Sequence, residues 1–124
     1  MNVEDLSGPA RLMAGDACLV ERLYVATGLT TRAIGLMFRR DVPAKYGGGL
    51  LFPRCGSLHT FHMLFPLDIV FLDAEGQPME IRRAVPGWKV VKGPRGTRHC
   101  LEVRAGAFPD KVPMKDWRFE PVGA

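Results

Sequence analysis

The sequence predicts a mainly β protein, a small barrel-like domain of short antiparallel strands with one short α-helix near residues 31–41. Two observations carry that expectation. Glycine (14) and proline (10) are frequent in a chain of 124 residues, and they cut it into short pieces that favour strands and turns over long helices. Many of those pieces either alternate apolar and polar residues or run apolar with β-branched and aromatic side chains, as half-buried and fully buried strands do. A chain of this length has interior for one core, so residues 1–124 are expected to form a single domain.

The first sixteen residues show no clear period and contain Gly8, Pro9 and Gly15, so a loosely held arm is expected there. ACLVERLYVA, residues 17–26, reads as a strand, although Leu19/Val20 and Leu23/Tyr24 also fit a helical stripe. In TTRAIGLMFRRDVP a threonine can cap a short helix whose apolar face is Ala33, Ile34, Met37 and Phe38, with Pro43 ending it. Gly47-Gly48-Gly49 is a turn, and LLF after it reads as a short buried strand stopped by Pro53.

Alternation from Leu58 to Leu64 predicts a strand that points His59 and His62 to opposite faces. Pro66 interrupts it, and LDIVFLD resumes as a strand so apolar that both its faces are expected to be buried. DAEG, residues 73–76, is a tight turn, with QPMEIRRAV as the returning strand of a hairpin. A basic, glycine- and proline-rich segment follows, then CLEVRA alternates again. The tail carries Pro109 and Pro113, with Trp117 and Phe119 as anchors.

The net charge of +4 is concentrated between Glu80 and Arg104, where Lys and Arg outnumber Glu seven to two. Such a bias suits phosphates or acidic surfaces as well as a plain solvated face. Cys18, Cys55 and Cys100 are an odd number without staple-like spacing, which predicts reduced thiols. The opening MNVEDLSGPARL lacks the basic start and apolar middle of a signal peptide. No stretch approaches the roughly 18 apolar residues of a membrane span, so a cytoplasmic protein is expected.

The segments VATGLTTRAIGLMFRR, GGLLF, HTFHMLFPLDIVFLDAEG and LEVRAGAF, in that order, closely resemble the Domain of Unknown Function 192 family over about residues 25–108. The residues that match its motifs are Gly35, Leu36, Met37 and Arg39, then Phe61, Met63, Pro66, Leu67 and Asp68, then Leu101, Glu102, Ala105 and Gly106. The resemblance implies a mainly β, barrel-like domain with one short helix, flanked by an N-terminal arm and a C-terminal tail. It implies no function. Leu64-Phe65 stands where many relatives have Asn-Thr, and Lys115-Asp116 stands roughly where relatives close with Gly-Asp.

Asp68 is the polar residue most at odds with its surroundings, because a carboxylate between Leu67 and Ile69 must be paired or hydrogen-bonded if buried. Backbone amides around the Pro66 turn or an arginine such as Arg39 would satisfy it; a pocket carboxylate is the functional alternative. His59 and His62 suit either a hydrogen-bonded wall or a ligand contact. Cys55, His59 and His62, with His99-Cys100, would suit zinc only if the segment were helical, and Pro53, Gly56 and Ser57 argue against that helix. No metal and no cofactor are expected. Cys55 and Ser57 sit in no nucleophile motif, so no catalytic residue is assigned.

These observations favour a non-catalytic binding domain for a small polar ligand, a sugar or a peptide, with His59, His62, Asp68 and Trp88 as contact residues. A hydrolase using His and Asp as acid and base is the alternative. A third reading is nucleic-acid binding through the basic 82–98 segment, where Trp88 lies among Lys89, Lys92, Arg95 and Arg98.

Overall fold

The computed structural model describes residues 2–26, 49–59 and 66–122. Nine strands lie in these residues: β1 (Ala10–Ala14), β2 (Ala17–Val25), β3 (Gly49–Phe52), β4 (Ser57–His59), β5 (Leu67–Leu72), β6 (Pro78–Val85), β7 (Val90–Lys92), β8 (His99–Arg104) and β9 (Trp117–Pro121). Seven form one sheet in the order β6-β5-β8-β3-β2-β1-β9, and β4 pairs with β7 in a second. The large sheet is curled into a half-barrel. The helix expected near 31–41 and the outer part of the strand expected over 58–64 lie outside the described residues.

The apolar run of β5 is explained by its place. β5 and β8 are neighbours within the sheet, each flanked on both sides, and every residue of β5 is buried. Period-two alternation then sends their side chains to two separate clusters. Val70, Leu72, Leu101 and Val103 join Leu12, Leu23, Leu51, Trp117 and Phe119 on one face. Leu67, Ile69, Phe71 and Cys100 join Leu50, Phe52, Val85 and Val91 on the other. The DAEG turn closes the β5–β6 hairpin as expected: the Asp73 carboxylate accepts the amides of Glu75 and Gln77, each at 2.9 Å, and Gly76 takes the positive φ.

Three expectations are corrected. The N-terminal residues are not a loosely held arm: β1 pairs with both β2 and β9, and a single 3-10 turn, Val3–Asp5, precedes it. The missing period had a physical cause, since Val3, Leu6, Ala10, Leu12 and Ala14 all enter the core although Gly8-Pro9 breaks the run between two differently shaped pieces. The tail likewise supplies an edge strand, β9, in which Trp117 and Phe119 alternate inward. Finally, the pairing is not all antiparallel. β2 and β3 run parallel, Leu23 opposite Gly49 and Val25 opposite Leu51, as a long intervening connection permits.

Gly49 has a specific reason to lack a side chain. A Cβ there would sit 2.4 Å from the backbone oxygen of Glu102 and 2.8 Å from Val103 Cγ1, so only glycine lets β3 close onto β8. The three cysteines are free thiols, Cys18 exposed and Cys100 buried. No helix among the described residues is long and apolar enough to cross a membrane.

Candidate functional site

Among the described residues three polar side chains are buried, Asp68, His99 and Glu102, and their environments differ. Asp68 is saturated. Its Oδ1 accepts the Ala84 amide at 2.8 Å, while Oδ2 accepts the Arg83 guanidinium at 3.2 Å and the Gly106 amide at 3.4 Å. The reason lies in β6. Between Leu67/Val85 and Ile69/Arg82 the register slips, and Ala84 adopts a φ of 50°, so the amide of this bulge leaves the ladder and needs another acceptor. Asp68 provides it. The amides come from β6 and from the turn after β8, and Arg83 supplies the guanidinium; Arg39 lies outside the described residues.

Glu102 is in a different position. Its register partners are Leu50 on β3 and Ile69 on β5, both apolar, and it faces the cluster that also holds Phe52, Phe71, Val85 and Cys100. Burial pushes the carboxyl up to about 8, and the nearby Cys55 thiol adds to the push. At neutral pH the group is a neutral carboxylic acid that can both donate and accept a hydrogen bond.

His99 is fully buried at the start of β8. Its Nδ1 accepts the Arg54 amide at 3.0 Å, which places the imidazole proton on Nε2, and Nε2 has no partner among the described residues. Burial holds the imidazole below its ordinary pKa. Neutral histidine in this tautomer is therefore the resting form.

Two of the residues singled out in the sequence, Asp68 and Glu102, lie on opposite faces of the sheet, because Asp68 opposes Val103 and Ile69 opposes Glu102. Trp88 lies between β6 and β7, 63% exposed and with a φ of 65°; the residues on either side of its loop, Val85 and Val91, pack on the Glu102 face. His59 pairs with Val90 across β4 and β7, so Cys55 and His59 do not share a helix face. Pro66 is exposed and its carbonyl accepts the Ala105 amide at 3.2 Å. Gly106 turns with a φ of 89°. Gly35, Met37, Arg39, His62 and Met63 lie outside the described residues.

The basic segment is largely engaged within the chain. Arg82 pairs with Glu80, lies over the Phe71 ring and donates to the Lys92 carbonyl. Arg83 joins Asp68 to the Pro109 carbonyl at 3.0 Å, and Arg98 pairs with Glu4 at 2.9 Å. The site features that sequence reasoning missed are Arg54 and Glu4, and the pairing between them. Nothing in local spacing signals a contact between residues fifty positions apart.

Comparison with known proteins agrees with this architecture. A UPF0127 protein of Pyrococcus horikoshii is 26% identical over 102 residues, covering 71% of this chain and 83% of that protein. A Sinorhizobium meliloti structure, described as a candidate transcription regulator, superposes with a TM-score of 0.67 at 21% identity, covering 90% of this chain and 91% of that one. A Novosphingobium aromaticivorans protein of unknown function gives 0.64 at 23% identity over 79% of this chain and 73% of its own. At these identities the two structures show a common fold. The model of the DUF192 family, described as Uncharacterized ACR, matches residues 11–112. With most of the length from β1 to β8 and beyond matched, the chain belongs to the DUF192 family.

Proposed function

We propose that the protein is a non-catalytic binding domain for a small polar ligand, held on the Glu102 face of the half-barrel. The observation that carries this reading is the buried carboxyl of Glu102, pushed up to about 8 and set opposite Leu50 and Ile69 on the face that also holds Phe71. A protonated acid on an apolar face can both donate and accept a hydrogen bond, and a ligand hydroxyl or amide placed against it would use both. The apolar surroundings supply contact area and the acid supplies orientation, the usual division of labour in small-molecule sites.

In this reading Asp68 holds the wall and does not touch the ligand, because both its oxygens already accept donors from the chain. Trp88 stands on the loop at the rim. The same saturation argues against Asp68 as the base of a hydrolase, and the internal engagement of Arg82, Arg83 and Arg98 weakens the case for nucleic acid.

The test is native mass spectrometry of protein purified gently from its own host, run on wild type and on Glu102→Leu. A stoichiometric small-molecule adduct on the wild type that is lost from a folded Glu102→Leu variant supports the reading. An adduct retained by that variant, or no adduct together with no amide shifts at Leu50, Ile69 and Glu102 across a polar fragment library, overturns it.

A further inference from the structure

A second site lies away from Glu102, where the chain folds its own carboxylate between two arginines. Arg54 follows β3 and Arg98 precedes β8, and the backbone holds both in place. The Arg54 amide donates to His99 Nδ1 at 3.0 Å, the Arg98 amide donates to the Leu72 carbonyl at 2.7 Å, and the Cys55 amide donates to the Arg98 carbonyl at 2.9 Å. Both guanidiniums nevertheless remain half or more exposed, at 70% and 52%. Glu4 reaches them from the 3-10 turn, with Oε1 2.9 Å from Arg98 Nε and Oε2 3.5 Å from an Arg54 terminal nitrogen.

Three features distinguish this cluster from an ordinary surface ion pair, which contributes little. The arginines are 44 positions apart in sequence (54 to 98), yet they converge on one carboxylate from two loops tied together by backbone hydrogen bonds. Glu4 takes Arg98 through Nε, whereas a guanidinium is built to grip an oxyanion with two parallel N–H groups. Beside the pair lies His99, buried, neutral and with its Nε2 proton unpartnered among the described residues. The other carboxylate near His99, Asp73, is occupied by the turn amides of Glu75 and Gln77.

We propose that Arg54 and Arg98 form a binding site for the phosphate group of a phosphate monoester, which Glu4 fills as an internal competitor. The three terminal oxygens of such a group could grip Arg98 with two parallel N–H groups and still reach the Arg54 terminal nitrogen that Glu4 now meets at 3.5 Å. Displacement requires only that the Glu4 side chain swing out. Val3 and Leu6, buried on either side of Glu4 and Asp5, keep the backbone of the turn in place. This site is independent of the Glu102 reading and survives its failure.

The experiment is titration of the full chain with inorganic phosphate, followed by amide and arginine side-chain nitrogen–proton NMR, with sodium chloride of matched ionic strength and sodium acetate as separate arms. Glu4→Gln removes the competing charge while keeping the side chain's length. The expected result is phosphate binding at least tenfold tighter in Glu4→Gln than in wild type, with shifts at the Arg54 amide and Arg98 Nε and loss of the response in Glu4→Gln/Arg98→Gln. In wild type, the Glu4 carboxyl carbon should shift as phosphate displaces it, which keeps the test available if Glu4→Gln folds poorly. Equal responses to chloride, no tightening in Glu4→Gln, or acetate binding as tightly as phosphate would each overturn the proposal.

Discussion

The amide of Gly106 donates to Asp68 Oδ2 at 3.4 Å, and this bond joins two motif blocks that lie 38 positions apart in sequence. The same carboxylate accepts the displaced amide of Ala84. Asp68 thus ties the β6 bulge to the turn after β8 at one end of the sheet. Its replacement leaves buried donors without an acceptor. Asp68→Ala should therefore lower the unfolding free energy by about 3–5 kcal/mol, read as a drop in denaturation midpoint at unchanged m-value. Arg83→Ala should cost less, because the Ala84 and Gly106 amides still hold the Asp68 carboxylate when the guanidinium is gone. Equal losses in the two variants would contradict the assignment of Asp68 to the backbone amides.

Glu102 makes stability fall with rising pH. Its pKa is 4.5 when unconstrained and about 8 in the fold, so between those values the folded chain binds a proton that the unfolded chain has released. The penalty is absent below pH 4.5, grows as pH rises, and levels off above 8. At pH 7 it amounts to roughly 3 kcal/mol. Glu102→Gln should abolish this slope and be the more stable protein at pH 8, as thermal unfolding measured from pH 5 to 9 will show. A variant and wild type with parallel pH profiles would sink this reading.

His99 acts on the acid side. Its pKa is held below 6.5 by burial, so the unfolded chain takes up the proton first and stability falls as pH drops below about 6.5. Replacing His99 with Gln should flatten the profile in that range. A profile unchanged there would mean that His99 is protonated in the fold.

The N-terminal residues belong to the core. Leu6 and Leu12 are 5% and 0% exposed, so Leu6→Ala and Leu12→Ala should each cost about 2–5 kcal/mol. Gly49→Ala should be comparably damaging for the opposite reason, since its methyl would overlap the Glu102 backbone oxygen. Denaturant titration of the three variants distinguishes a packed β1 from a dispensable arm: a Leu12→Ala chain as stable as wild type would contradict the packing described.

Much of the central sheet was legible from residue pattern alone. Unbroken apolar character in LDIVFLD marked β5 as buried on both faces, and DAEG marked the β5–β6 turn. The β1–β9 side of the sheet was not legible, because these two strands pair with each other from opposite ends of the chain and neither carries a strong period by itself. Asp68 stood out because a charge among Leu67 and Ile69 demands a partner, but its partners are set by a bulge in β6, which local sequence does not encode. Glu102 was visible only as a motif residue. Its significance depends on Leu50 and Ile69 lying opposite it, and register is a property of the folded sheet. The Glu4 cluster was invisible for the same reason.

The central claim is that Glu102 rests as a neutral acid on an apolar sheet face, and the most direct test is its own titration. Side-chain carboxyl carbon NMR, with the signal assigned by comparison with Glu102→Gln, should show a midpoint near 8. A midpoint near 4.5, the value of an unconstrained glutamate, would mean that water or a partner stabilises the carboxylate, and the binding role proposed for it would fall.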